Sequence, residues 1–198
     1  MARGVIAISR EFGSGGRSIG LLLSELLSIP FYDRELISGA AEAGGISSAL
    51  VDDYEERVSD DFGAFFLEPG LFACCLQQPM TDKIYLAQRR VVLELAERGP
   101  CIIVGRCAAH ILGDRAVSVF VRASLESRIE RIRGLRGGVS VEEARELVLS
   151  VDKRRRRYYE RYTGLEWGRA DDYNLCIDTT GLDLKGCAGV IKSYFSCF

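Results

Sequence analysis

Residues 5–20 read VIAISREFGSGGRSIG: an apolar run, a glycine-rich turn, and the start of a second apolar pattern. Val5 to Ser9 is short and rich in β-branched residues, which suits a buried strand. From Arg17 to Ser28, the residues Ile19, Leu22, Leu23, Leu26 and Leu27 recur at helical spacing. The stretch is therefore strand, loop, helix, and Gly13, Gly15 and Gly16 fall in the loop. Glycines let a backbone approach a ligand closely and adopt positive φ, while the free N–H groups and dipole of a helix start favour an anion. Arg17 adds a positive charge and Ser18 a hydroxyl at the same end.

The pattern G-x-x-x-x-G-K-[ST] holds nucleotide phosphates in this kind of strand–loop–helix, with the lysine on the β- and γ-phosphates and the hydroxyl on magnesium. Two registers are open. Reading Gly16-Arg17-Ser18 as G-K-S puts Glu11 at the first glycine and Arg17 at the lysine. Reading the loop as G-x-x-G-x-G-K-G-T aligns Gly13 and Gly15 but puts Arg10 at the first glycine and Gly16 at the lysine. The lysine is missing in both, and arginine is no neutral substitute, since its planar fork binds phosphate bidentately where lysine acts as a point charge.

Outward from this loop, Ile29–Tyr32 reads as a second strand, and Asp33 or Arg34 opens a helix through Ala43. Residues 44–80 mix short helical patterns with an aromatic run. Met80–Arg98 is an amphipathic helix, Cys101–Val104 and Val117–Val121 are buried strands, and Ser124–Arg136 and Ser140–Tyr162 are helices separated by glycines. Asn174–Asp178 is the last strand and Leu184–Phe195 the last helix. Alternating strands and helices imply an α/β fold with a parallel sheet covered on both faces, and 198 residues suit one domain.

Hydrophobic residues make up 47% and charged residues 27%, which argues against disorder. The apolar runs fall far short of the ~20 residues that cross a bilayer, and a cytoplasmic setting with no membrane partner is expected. The 7 cysteines show no C-x-x-C spacing and read as reduced, mostly buried thiols. His110 reads as structural. Net charge is −2, yet residues 122–161 hold 12 basic and 7 acidic residues, so an anion is expected against that segment. A nucleic-acid module, suggested only by Arg154–Arg157 beside Tyr158 and Tyr159, would carry a strongly positive whole domain, which this chain does not.

The strings ISREFGSGGRSIG and IPFYDRELI, with CIIVGRCAAHIL, RASLESRIERI, DKRRRRYYERYTG and DDYNLCIDTTGL following in order, resemble the cytidylate kinase-like family of P-loop proteins. The resemblance implies a five-stranded parallel sheet, an acceptor-binding region over about residues 33–98, and a lid over about residues 124–161. It implies transfer of the γ-phosphoryl group of ATP, with Mg2+, to a nucleotide or other small phosphorylated metabolite. Gly13, Ser14, Gly15, Gly16, Arg17 and Ser18 would hold the donor phosphates, with Ser18 on magnesium. Asp33 would meet an acceptor hydroxyl or hydrated magnesium, with Arg34 beside it. Arg106 would grip the acceptor phosphate, and Arg154 and Arg161 match substrate-binding arginines. Arg128, Arg131 and Arg133 would lie on the lid, where one of them joins Arg17 in stabilising the transferring group. Tyr158 stands where cytidylate kinases carry an acid that recognises the nucleoside, a departure that removes a cytidine contact. The absent lysine keeps a second reading open, a nucleotide-binding switch or sensor with little turnover.

Overall fold

The computed structural model describes residues 4–33, 36–37 and 80–198. Arg34, most of the helix expected through Ala43, and the patterns of residues 44–79 lie outside the described residues. Five strands form one sheet: β1 (Val5–Arg10), β2 (Phe31–Tyr32), β3 (Cys101–Val104), β4 (Ala116–Arg122) and β5 (Leu175–Asp178). Their order is β2-β3-β1-β4-β5 and every pairing is parallel. The expected five-stranded parallel α/β architecture is therefore the observed one.

Side-chain alternation divides each central strand between two cores. Val5 and Ala7 of β1, Cys101 and Ile103 of β3, and Ala116 and Phe120 of β4 face one core. The helices α2 (Met80–Glu97) and α3 (Ala108–Leu112) cover it with Val92, Leu95, Ala108 and Leu112. Ile6, Ile8, Ile102, Val104, Val117, Val119 and Val121 face the other. There α1 (Gly16–Leu27) and α6 (Leu184–Phe195) contribute Ile19, Leu23, Ala188 and Ile191. Burial on both faces explains why these strands read as continuous apolar runs. A third, smaller core joins α4 (Leu125–Arg136) to α5 (Val141–Thr163) through Ile129, Ile132, Ala144 and Val148, with Phe12 of the glycine loop packed against it.

The expected second strand is shorter than Ile29–Tyr32. Ser28 ends α1 at φ 54, and the Ser24 hydroxyl donates to Ile29 O at 2.6 Å, so Ile29 is spent on the turn out of the helix. Pro30 has no N–H to give a ladder, though its carbonyl still accepts from Ile102 N at 2.8 Å. His110 sits exposed on α3. Among the described residues no helix is long and apolar enough to cross a membrane.

The chain leaves β1 toward β2 on one side and later returns to β4 on the other side of β1. Such a reversal opens a crevice at the carboxyl ends of the central strands, where open α/β sheets bind ligands. Arg10, Asp33 and Gly105 all lie at that edge.

Candidate active site

The loop from Glu11 to Gly15 carries β1 into α1. Only Gly13 (φ 78) and Gly15 (φ 85) take left-handed backbone there, and Gly15 is the N-cap of α1. No side chain caps this end. By contrast, Ser124 caps α4 by accepting from Ser127 N, Ser140 and Glu143 form a reciprocal box on α5, and Asp183 caps α6. The first N–H groups of a helix have no intrahelical partner, and an uncapped start presents them with the positive end of the dipole.

The loop is fastened from several sides. Buried Ser14 donates its hydroxyl to Glu11 O at 2.9 Å, and its own carbonyl accepts from the Thr179 hydroxyl at 2.7 Å. The Glu11 carboxylate accepts from Ala123 N at 3.0 Å and lies 3.6 Å from Arg128 Nε. Phe12 N donates to Asp152 at 2.7 Å, while Arg128 donates to Phe12 O at 3.3 Å and pairs with Asp152. Arg131 Nη1 donates to Gly13 O at 2.6 Å. Of the three arginines expected on the lid, Arg128 is therefore buried as a loop fastening and Arg131 reaches the loop. Arg133 bonds Val139 O at 3.1 Å across the glycine turn.

The two glycines that need positive φ are the two aligned in the second register, which leaves Gly16 at the lysine position and Arg10 at the first glycine. A Cβ on Gly16 would lie 2.6 Å from Arg10 Cβ and 3.0 Å from its Cγ. A Cβ on Gly105 would lie 2.2 Å from Arg10 Nη1. The Arg10 side chain thus runs from the first residue of α1 to the turn after β3, through space that two glycines leave open.

Arg17, expected to replace the lysine, pairs with Asp33: its Nε and Nη2 lie 2.9 and 2.8 Å from Asp33 Oδ2. Asp33 is buried at the end of β2, and its other oxygen accepts from Leu36 N at 3.3 Å. Ser18 is exposed in the first turn of α1.

Across the crevice, Gly105, Arg106 and Cys107 form a left-handed turn with φ of 89, 54 and 53. Positive φ is costly for a residue with a side chain, and such strain gathers at functional sites. Arg106 is buried, with its guanidinium carbon 5.9 Å from the Tyr158 ring centroid. The Tyr158 hydroxyl donates to buried Gln88 at 3.0 Å. Tyr85 stacks on Tyr162 with centroids 4.1 Å apart, and Tyr162 and Arg161 both bond Asp82, at 3.1 and 3.0 Å. Arg161 is thus joined to α2, while Arg154 lies half-buried on α5. Burial pushes the Cys107 thiol up to about 12, so it stays protonated and is no nucleophile at neutral pH.

The loop, Asp33 and Arg106 singled out in the sequence lie at the carboxyl edge of the sheet; the fastening roles of Glu11, Asp152 and Thr179 had no signal there. The course of Arg10 was also missed, although an arginine at the first glycine paired with a glycine at the lysine was its visible signal.

The chain is similar over most of its length to known proteins. It is 28% identical over 192 residues to a cytidylate kinase of Pyrobaculum aerophilum, covering 96% of this chain and 91% of that protein. To a cytidylate kinase of Ignicoccus hospitalis it is 26% identical over 189 residues, covering 95% and 96%. A crystal structure of an uncharacterized protein from Eubacterium ventriosum superposes with a TM-score of 0.74 at 26% identity, covering 97% and 98% of the two chains. Shikimate kinase from Acinetobacter baumannii shares the fold, with a TM-score of 0.56 at 16% identity over 98% and 93%. The model of the cytidylate kinase-like family matches residues 5–181, the span from the first strand through the loop, the crevice and the last strand, and the chain belongs to that family.

Proposed function

We propose that this kinase-family chain transfers the terminal phosphoryl group of ATP to a nucleotide or other small phosphorylated metabolite. The observation that supports it most is the uncapped, glycine-built start of α1 at the carboxyl edge of β1. In the reaction the bond from the γ-phosphorus to the β,γ-bridging oxygen breaks, a bond to an acceptor oxygen forms, and the acceptor proton leaves to solvent or a base. Such transfer depends on positioning and on cations around the spread negative charge.

Backbone N–H groups of Gly15 to Ser18 would hold the donor phosphates. Magnesium prefers oxygen ligands and keeps several waters. The exposed Ser18 hydroxyl would be a ligand of that kind, and the Asp33 carboxylate would accept from a water of the ion or from an acceptor hydroxyl. When bound, the ion would neutralise phosphate charge. Arg106, buried in its left-handed turn, would grip the acceptor phosphate, with Arg154 and Arg161 on the same side. Arg131 would stiffen the loop from the lid side and Arg133 the glycine turn of that lid. Tyr158, tied to Gln88, offers no carboxylate to a cytosine, so the acceptor is left as the wider class. The protonated, buried thiols Cys101 and Cys107 suit a reducing cytoplasm.

An acceptor screen tests this reading: ADP release is followed with ATP and magnesium across nucleoside monophosphates and other phosphorylated metabolites. A kinase releases ADP faster when its acceptor is added. Tight ATP binding with no acceptor-stimulated release would favour the switch or sensor instead.

A further inference from the structure

We infer that Arg10 and Gly16 have exchanged the two roles that a phosphate loop ordinarily gives to its first glycine and its lysine, so that Arg10 supplies the cation over the donor triphosphate. This rests on the phosphate-binding reading of the loop, not on which acceptor is used.

Residue 16 opens α1, where the phosphate-loop lysine stands in the register fixed by Gly13 and Gly15. A side chain there is impossible beside Arg10, whose Cβ and Cγ would lie 2.6 and 3.0 Å from the added Cβ. Real Cβ atoms do not approach so closely, so one of the two positions must be glycine. In the ordinary loop glycine comes first and the cation second; here the cation comes first and glycine second. The Arg10 stem passes beside Gly16, the first residue of α1, and its guanidinium ends against Gly105. Gly105 is glycine on two counts, its φ of 89 and the Arg10 nitrogen 2.2 Å from where a Cβ would be. Arg106, the next residue, is the cation proposed for the acceptor phosphate. Arg10 thus spans from the donor loop to the acceptor turn, the line along which a phosphoryl group would pass. Its carbonyl accepts from Arg155 Nη1 at 3.1 Å, which holds its backbone at the end of β1.

Arg17 is the competing cation; its guanidinium lies on the β2 side, against Asp33, whereas Arg10 runs between Gly16 and Gly105. The exchange also accounts for an otherwise odd pair of residues: an arginine where a strand enters a tight glycine turn, and a bare glycine where a helix could carry any side chain.

The test uses the full chain and calorimetric titration with magnesium ATP and with inorganic tripolyphosphate, which needs no acceptor or turnover. Arg10→Gln keeps most of the stem and removes the charge; it should weaken tripolyphosphate binding at least tenfold. Gly16→Lys alone should bind more weakly than the parent, because its stem meets Arg10 and disturbs the start of α1. The double variant Arg10→Gly with Gly16→Lys restores the ordinary arrangement and should recover binding to within a few-fold of the parent. Recovery in the double but not in either single variant is the expected result, and it is one that a merely structural Arg10 would not produce. Parent-like tripolyphosphate affinity in Arg10→Gln, or a folded double variant that binds no better than Arg10→Gln, would overturn the exchange. A parent that binds ATP but shows no acceptor-stimulated ADP release would overturn the kinase reading and leave these binding outcomes unaffected.

Discussion

The starts of α1 and α5 solve the same physical problem in opposite ways. Each helix begins with N–H groups that its own turns cannot satisfy. At α5, Ser140 accepts from Glu143 N at 3.2 Å and Glu143 returns to Ser140 N at 2.9 Å, so the end is closed by its own residues. At α1 the cap is Gly15, which has no side chain to offer. A helix end left this way gives up stability unless a ligand arrives, and the loop that leads into it needs support from elsewhere. That support comes from Asp152, Arg128, Arg131 and Thr179, which lie outside α1 and the loop, and from Glu11 at the loop's first position. The difference separates an end built to stand alone from an end built to receive an anion.

The support is easiest to break at Asp152. Its carboxylate takes the Phe12 N–H and pairs with buried Arg128, so Asp152→Ala removes the shorter of Arg128's two ion pairs and leaves it Glu11 at 3.6 Å and the Phe12 carbonyl. Breaking one partner of a buried pair costs about 3–5 kcal/mol. Denaturant unfolding should show a loss of that size, and a loss below about 1 kcal/mol would mean the pair behaves as a surface one. Thr179→Val is next. Its buried hydroxyl is the donor to Ser14 O at 2.7 Å, and leaving that carbonyl unmet costs about 1–3 kcal/mol. Thr179→Ser should recover most of it, along with ATP affinity.

Arg17→Ala sharpens the comparison on the catalytic side. Because Arg17 is engaged by Asp33, its loss should lower turnover roughly tenfold, about 1.4 kcal/mol of barrier, with Arg17→Lys intermediate. A loss of about 100- to 1,000-fold, the scale of a transition-state donor, would return the lysine's role to Arg17. The smallest effects belong to the closed ends. Ser124→Ala should cost about 1 kcal/mol of stability without altering ATP binding. The Glu143 carboxyl is held below its ordinary value of 4.5 by the Ser140 N–H and hydroxyl. Its box therefore stabilises the fold above that pH and is lost as pH falls through the lowered value. Acid titration should fray α5 from Ser140; Glu143→Gln should remove that pH dependence, and Ser140→Ala, which keeps the N–H, only the hydroxyl's share of it.

Much of this arrangement could be read from residue order, for physical reasons that also mark where reading stops. Cys101–Val104 and Leu184–Phe195 were legible to the residue because burial on both faces or on one stripe leaves a periodic imprint. The loop was legible because positive φ demands glycine at 13 and 15. The register stayed open because residue order alone does not say which glycines take positive φ, and the course of Arg10 past Gly16 was hidden because that contact is made in space rather than along the chain. The fastening acids Glu11 and Asp152 were hidden for the same reason: 140 positions separate Phe12 from its partner Asp152. Arg128 read as one lid cation among several, since sequence spacing cannot tell a buried guanidinium from an exposed one on a helix so rich in charge.

Phosphoryl transfer by this chain depends most on α1 being an anion site. A crystal structure of the chain with ATP and magnesium measures that directly. The triphosphate should lie against the N–H groups of Gly15 to Ser18 with the Arg10 guanidinium beside its β- and γ-oxygens. Density for the triphosphate elsewhere, with the Gly13–Ser18 loop empty, would contradict it.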